Sequence, residues 1–113
     1  MWSPPLRLRR RADFLAAASG KKLPTAAFVL QVREREDDGP IRVGFTVSRK
    51  VGTAVERNRV KRRLREMVRL AAATGLPPGN DYVLIGRRAA LSLPFEQIAR
   101  DFRRALERLR VTK

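Results

Sequence analysis

The sequence predicts a single small domain of the α+β class. At 113 residues the chain is long enough for one modest core and too short for two. Short apolar runs rich in β-branched residues alternate with segments whose apolar residues recur at helical spacing. The resulting order is helix, hairpin, helix, strand, helix, which is typical of an α+β domain.

The N-terminal part of the chain predicts an arm followed by a helix. Residues 1–11 are basic and contain two prolines, so we expect an arm without regular structure, with the folded domain covering residues 12–113. The stretch ADFLAAAS, residues 12–19, predicts a short helix that Gly20 ends as a C-terminal glycine.

The next two apolar runs predict an antiparallel hairpin. AAFVLQVRE (26–34) and IRVGFTVS (41–48) are joined by REDDGP (35–40), in which Asp38-Gly39 is a turn signal. We expect the acidic tip of this hairpin to face solvent.

A long helix and two closing elements follow. Thr53 and Glu56 have the spacing of a capping box, which predicts that a helix starts there. It can run to about Ala73, where Thr74-Gly75 and two prolines end it. DYVLIG (81–86) then predicts a buried strand. A final amphipathic helix is indicated by the spacing of Phe95, Ile98, Phe102, Leu106 and Leu109.

The charge of the chain predicts an anionic partner. Lys and Arg total 26 against 11 acidic residues, a net charge of +15, and 21 of the 26 are Arg. The planar guanidinium suits bidentate contacts to phosphate. Four acidic residues fall together in EREDDG (34–39), so the rest of the surface is more basic than the total indicates.

The residue types exclude several kinds of site. The chain has no Cys and no His, which removes thiol nucleophiles, imidazole bases and the usual zinc sites. We therefore predict no catalytic residue and no metal site in the protein. The sequence lacks an apolar run of signal-peptide or membrane-spanning length, so we expect a cytoplasmic protein with no membrane partner.

The helix from residue 54 predicts one buried face and one basic face. Val60, Leu64, Met67, Val68 and Ala71 share an arc that would pack on the sheet. Like charges at i, i+4 repel each other on the rest of the helix, and a bound polyanion would turn this repulsion into binding free energy. The alternative is a solvated charged face. The face opposite the buried arc comprises Asn58, Arg62, Arg65 and Arg69.

These residues carry a family resemblance. VGTAVERNRVKRRLRE (51–66) resembles the signature of the bacterial ribonuclease P protein component. The likeness extends to RLRRRADF, FVLQV, RVGFTVSRKVG and NDYVLIGRRAA, and so covers most of the chain. The positions that match the signature are Ala54, Arg57, Asn58, Arg59, Lys61, Arg62 and Arg65.

The resemblance implies a fold and a function. The implied fold is αβββαβα, a sandwich like that of certain ribosomal proteins, with a left-handed βαβ crossover. Its third strand is not separable by eye from residues 41–52. The implied protein is a monomeric accessory subunit, one per RNA. In such a ribonucleoprotein the RNA uses magnesium ions, which it mainly holds itself, to remove the 5′ leader of precursor tRNA.

The resemblance also implies residue roles. Arg57, Asn58 and Arg59, with others on the same helix, would face the catalytic RNA. The first helix and the sheet would form a cleft for the leader. Phe14 and Phe28 would offer stacking there, although core packing is the alternative for both. The implied RNA-binding set is completed by Lys61, Arg62, Arg65, Arg69, Arg49 and Lys50, the cleft by Thr46 and Ser48, and diffuse contacts by Arg7, Arg9, Arg10 and Arg11.

Two positions depart from the family pattern, and other functions compete. Ala18 and Gln31 stand where the family often has aromatic residues, so the cleft would depend more on backbone and charge. A ribosomal or other structural RNA-binding protein is the first alternative and an autonomous nuclease the second. DNA binding is disfavoured, because the helix lacks the preceding helix of a helix-turn-helix motif.

Overall fold

The computed structural model describes residues 5–111. One five-stranded mixed sheet separates α1 on one face from α2 and α3 on the other. The strands are Leu6–Arg7 (β1), Lys21–Pro24 (β2), Phe28–Glu34 (β3), Arg42–Thr46 (β4) and Asn80–Gly86 (β5). The helices are Arg11–Ala18 (α1), Ala54–Thr74 (α2) and Phe95–Arg108 (α3), with short 3₁₀ helices at Arg49–Val51 and Arg88–Leu91.

The sheet has the strand order β1-β4-β5-β3-β2. The central strand β5 pairs antiparallel with β3, in a register that sets Phe28 opposite Gly86. It pairs parallel with β4, in a register that sets Arg42 opposite Asp81. Helix α2 therefore connects two neighbouring parallel strands. The left hand of this crossover stays a prediction from the resemblance.

The predicted hairpin between residues 26–34 and 41–48 is wrong. Both segments form strands, but β5 lies between them. The connecting loop packs on the turn before β5, because Arg35 N–H donates to the Gly79 carbonyl and Gly79 N–H donates to the Gly39 carbonyl, each at 2.9 Å. Side chains of β5 are buried on both faces of the sheet, which suits a central position.

The implied third strand and the N-terminal arm also differ from expectation. The third strand is Lys21–Pro24, directly after α1, and not a part of residues 41–52. The expectation of an irregular arm is wrong for residues 6–8, since Leu6–Arg7 pairs with β4 and Leu8 is buried on the α1 side of the sheet. Residues 1–4 of the predicted arm lie outside the described residues.

Helix α1 ends differently from the predicted glycine cap. Ser19 is the capping residue, and its hydroxyl donates to the Leu15 carbonyl at 3.2 Å. Gly20 is needed for space, because a Cβ at this position would lie 2.2 Å from the Val32 carbonyl oxygen. The glycine lets the chain pass close to β3 as it turns into β2.

Helix α2 confirms the predicted ends. Glu56 N–H donates to the Thr53 hydroxyl at 3.2 Å, and Thr53 N–H donates to the Glu56 carboxylate at 2.9 Å, which completes the capping box. At the other end Gly75 adopts a left-handed conformation with φ of 117°, which glycine adopts without steric cost.

The predicted buried face of α2 is largely confirmed. Val60, Leu64, Met67 and Val68 are buried against the sheet and α3, with Ala72 buried in place of Ala71, which is half-buried.

Helix α3 closes the core with the predicted residues. Ile98, Phe102 and Leu106 are buried, and the Phe102 ring meets Phe28 edge to face at a centroid distance of 6.1 Å. Among residues 5–111 no helix is both long and apolar enough to cross a membrane.

Candidate nucleic-acid interface

The outer face of α2 forms a basic depression. Its volume is about 400 Å³, and it is lined by Val55, Asn58, Lys61, Arg62 and Arg65. These positions recur every three or four residues, so their side chains emerge on one side of the helix. The opposite side of α2 is buried on the sheet, which leaves this side open to solvent. The structure thus brings together four of the predicted RNA-binding residues.

The charges along this face are compensated unevenly. Arg69 donates to the Glu66 carboxylate at 2.5 and 3.1 Å, and this hydrogen bonding lowers the pKa of Glu66. Among the described residues, Arg62 and Arg65 have no acidic partner within ion-pair distance. The Arg65 guanidinium instead lies over the Phe45 ring, 5.8 Å from its centroid. The middle of α2 therefore carries uncompensated positive charge.

Two further arginines of α2, Arg57 and Arg63, donate to backbone carbonyls. Arg57, a predicted RNA-binding residue, donates to the Gly52 carbonyl at 2.8 Å and so braces the loop before the helix. Arg63 donates to the carbonyls of Ala90 and Leu93, which ties α2 to the 3₁₀ helix after β5. Arg59, by contrast, is exposed at the side of the face.

The segment between β4 and α2 presents further predicted residues. Ser48, Arg49 and Lys50 are exposed there. The segment is held from behind by Arg88, which donates to the Val51 carbonyl at 2.6 Å and to Glu56 at 3.3 Å. The backbone hydrogen bond of the capping box and then the Arg88 contact lower the pKa of Glu56.

The face of the sheet that α1 covers holds two of the four predicted leader-cleft residues. Phe14 is half-buried on this face, and a Cβ on Gly44 would lie 2.5 Å from its ring. Gly44 therefore makes room for the ring on β4. Thr46 follows two residues along the same strand and is exposed, opposite Ile85 of β5. Phe14 and Thr46 thus share one face, as predicted.

The prediction that Phe28 stacks on a nucleic acid is wrong. Its side chain is 0% exposed and packs on α3, on the other side of the sheet from Phe14. Alternation along β3 puts Phe28 and Leu30 in the main core and Gln31 on the α1 side, where it is buried. Ala18 is exposed at the end of α1.

A buried carboxylate on the α1 side was missed from the sequence. Asp81 is fully buried, and its oxygens accept from Arg42 at 2.8 and 2.7 Å and from Arg35 at 2.5 Å. Burial alone would raise the pKa of Asp81, but the arginine hydrogen bonds outweigh it and lower that pKa. Asp13 of α1 joins the cluster through Arg33 at 3.4 Å and Arg42 at 3.5 Å. The cluster therefore fastens α1 to the sheet.

One feature of the sequence could have indicated this cluster of Asp81 and arginines. Arg33 lies near the end of β3, Arg35 directly follows that strand and Arg42 begins β4, which is an unusual concentration of charge beside two apolar strands. Both Asp81 oxygens are occupied by arginine. No group of three or more metal-binding side chains occurs in the part of the chain that the structure describes, so these residues do not fit a protein-held magnesium ion.

Comparison with known proteins decides the family. The model of the Ribonuclease P family matches residues 3–110. The chain belongs to the ribonuclease P protein family. This confirms the resemblance carried by residues 51–66 and the α+β fold class.

Individual members of the family match along nearly the whole chain. The ribonuclease P protein component of Ruegeria pomeroyi is 50% identical over 110 residues, which cover 94% of this chain and 87% of that protein. The component of Bartonella quintana is 44% identical over 109 residues, covering 91% and 82%. The structure of the ribonuclease P protein from Thermotoga maritima has a TM-score of 0.74 at 34% identity, covering 90% of this chain and 96% of that one.

Proposed function

We propose that this protein is the accessory subunit of a ribonuclease P ribonucleoprotein, in which it binds the catalytic RNA and assists removal of the 5′ leader from precursor tRNA. The observation that carries the proposal is the basic depression on α2, in which Asn58, Arg62 and Arg65 face solvent in a member of this family. The protein acts as a monomer in the cytoplasm, one copy per RNA.

The catalytic RNA lies on the outer face of α2. Arg62 and Arg65 project from the same side of the helix with like charge and without acidic partners among residues 5–111, which costs free energy in the isolated protein. RNA phosphates relieve this repulsion, and each neutralised phosphate releases condensed counterions. Arg59 and Lys61 flank the depression, and Asn58 supplies an amide that both donates and accepts hydrogen bonds. When RNA binds, the Arg69 guanidinium leaves the Glu66 carboxylate and contacts a phosphate instead.

The leader of the precursor tRNA passes over the α1 side of the sheet. Phe14 and Thr46 lie there on one face, and the exposed segment with Ser48, Arg49 and Lys50 continues from the end of β4. Since Phe28 is buried in the main core, only Phe14 of the two predicted aromatic residues is available for stacking. Backbone and charge therefore supply most of the affinity for the leader.

The bond cleavage belongs to the RNA subunit. The chain has no His or Cys to act as base or nucleophile, and Asp81, the one buried carboxylate among residues 5–111, has both oxygens hydrogen-bonded to arginine. Magnesium, held mainly by the RNA subunit, would supply metal-assisted hydrolysis in the holoenzyme. The protein's own residues bind and orient the two RNAs.

The proposal is tested by cleavage of a leadered precursor tRNA at low, near-physiological magnesium. A bacterial ribonuclease P RNA is assayed with and without the protein, and product is expected only when both are present. Activity of the RNA alone at high magnesium shows that the RNA is competent. Cleavage by the protein alone would support the alternative of an autonomous nuclease. If folded protein does not stimulate cleavage, the alternative of a structural RNA-binding protein is favoured.

The leader cleft is tested separately with the reconstituted holoenzyme. A precursor without its leader is expected to bind more weakly than the leadered precursor. Equal affinity for the two substrates would remove the cleft from the proposal while leaving the α2 interface in place.

A further inference from the structure

A groove separates the edge of the sheet from α2. Its volume is about 260 Å³, and its floor is formed by Val43, Phe45 and Val68. The cationic side chains of Arg7, Arg65 and Arg69 surround this apolar floor. The volume lies just below the roughly 300–1,000 Å³ of sites for drug-sized ligands, so the groove suits a single planar ring system.

Two planar groups meet at this groove. The Arg65 guanidinium carbon lies 5.8 Å from the centroid of the Phe45 ring, within the range of a cation–π contact. Both an aromatic ring and a guanidinium plane are surfaces on which a nucleobase stacks. Leu6 of β1, 52% exposed at the mouth of the groove, adds apolar surface that a base would cover.

The groove is continuous with the basic face of α2. Arg65 lines both the groove and the basic depression, and Arg69 follows one turn later on the same side. A phosphate held by Arg62 or Arg65 therefore lies beside the opening. The adjoining nucleotide can turn its base toward Phe45 while its backbone stays on the helix.

We propose that this groove binds one unpaired nucleobase of the ribonuclease P RNA. The inference rests on the proposed function, because it needs RNA on the outer face of α2. The α1 face, which we assign to the leader, is on the opposite side of the sheet. The base in the groove thus comes from the RNA subunit and not from the leader.

The test is base-specific chemical footprinting of a bacterial ribonuclease P RNA with saturating protein. The wild-type protein is expected to protect at least one unpaired base from dimethyl sulfate at its Watson–Crick edge. The variant Phe45→Leu keeps the apolar volume and removes the aromatic face. It should lose that base protection while the backbone footprint persists, and its affinity should fall at least about fivefold.

A second variant avoids the core altogether. Leu6→Asp places a negative charge at the mouth of the groove at an exposed position, and should weaken RNA binding more than Leu70→Asp. Leu70 is a matched control, since it is 44% exposed on α2 outside this groove. Thermal unfolding of each variant verifies that it is folded.

The outcomes separate the two proposals. Unchanged base protection in Phe45→Leu, or equal effects of Leu6→Asp and Leu70→Asp, would overturn the groove as a base site and leave the α2 interface standing. Absence of any footprint with the wild-type protein would instead overturn the proposed function, and the groove inference with it.

Discussion

The Asp81 carboxylate accepts two hydrogen bonds from the Arg42 guanidinium, at 2.8 Å from Nε and 2.7 Å from Nη2. The two residues face each other in the parallel pairing of β4 and β5. This bidentate contact lies inside the protein, because Asp81 is 0% exposed. The contact holds β5 in register with β4. Arg42 also forms an ion pair with Asp13, which links the two strands to α1.

Replacing Asp81 by Asn should destabilise the protein by about 3–5 kcal/mol, since it removes the buried carboxylate shared by Arg35 and Arg42 and leaves them only the more exposed Asp37 and Asp13. Denaturant unfolding measures the loss. Asp37→Asn is the control, because Asp37 also contacts Arg35 but is exposed, and its effect should be much smaller. Equal stability of Asp81→Asn and wild type would show that the cluster does not hold the sheet.

Stability should fall in acid through the same carboxylate. In the folded protein the pKa of Asp81 is below its ordinary value of 3.8, which the carboxyl regains on unfolding. The ionised carboxylate therefore contributes to the free energy of unfolding above pH 3.8. The contribution is lost as the pH falls below 3.8 and through the folded pKa. Unfolding measured between pH 6 and pH 2 should therefore show a shallower acid loss for Asp81→Asn. Parallel pH profiles of the two proteins would contradict this assignment.

Substitution by alanine should destabilise the protein at Arg63 and leave its stability nearly unchanged at the neighbouring Arg62. Arg63→Ala leaves the carbonyls of Ala90 and Leu93 without their donor and should cost about 1–3 kcal/mol in the free energy of unfolding. Arg62→Ala changes an exposed side chain and should stay within about 0.5 kcal/mol of wild type. Thermal unfolding of the two variants measures the difference. Similar losses of stability in Arg62→Ala and Arg63→Ala would show that Arg63 has no special structural role.

RNA affinity should depend less on salt when the basic depression loses a charge. Arg62→Ala and Arg65→Ala are each expected to reduce the slope of log affinity against log salt by about 0.7–0.9 per lost phosphate contact. The measurement is a binding titration with ribonuclease P RNA over a range of salt. Arg103→Ala, at an exposed arginine of α3, should keep the wild-type slope. An unchanged slope in the α2 variants would remove them from the interface.

The capping box should account for part of the stability of α2. Thr53→Ala removes the hydroxyl that accepts from Glu56 N–H, and the expected cost is about 0.5–2 kcal/mol in the free energy of unfolding. Thr74→Ala serves as the comparison, because the Thr74 hydroxyl donates only to the Ala71 carbonyl at the other end of the helix. Denaturant unfolding should rank Thr53→Ala as the more damaging change.

Helix α2 was predictable from the sequence because its signals are local. Thr53 and Glu56 are three residues apart, and Gly75 directly follows the last helical residue. The buried and basic faces depend on a spacing that any helix imposes. The ends of the helix, most of its core contacts and the shared basic face of Asn58, Arg62 and Arg65 were therefore predicted correctly, whereas Ala72 is buried in place of Ala71.

Strand pairing was not predictable in the same way. The turn signal at Asp38-Gly39 favoured pairing of consecutive strands, which is the usual outcome. The actual partner of both β3 and β4 is β5, whose apolar residues face both sides of the sheet. The two-residue alternation groups Phe28 with Leu30, but it does not say which face of the sheet α1 covers. The cleft role of Phe28 came from the family resemblance, and the alternation alone could not decide between that role and core packing.

Asp81 was missed because its role depends on two other strands. In the sequence it is an acidic residue at the edge of an apolar run, a position typical of a turn. Only the register of β5 with β3 and β4 puts Arg33 and Arg42 on either side of it. A buried carboxylate of this kind can be recognised from the register of the paired strands but not from the sequence around it.

The central place of β5 has a consequence for synthesis of the chain. Strands β3 and β4 end at residues 34 and 46, but their shared partner begins only at residue 80. At translation rates of about 5–20 residues per second, the nascent chain waits on the order of seconds with the edges of β3 and β4 that will pair with β5 still unpaired. Such strands invite association between copies. The net charge of +15 opposes that association, so the arginines that we propose to bind RNA also keep unfinished chains apart.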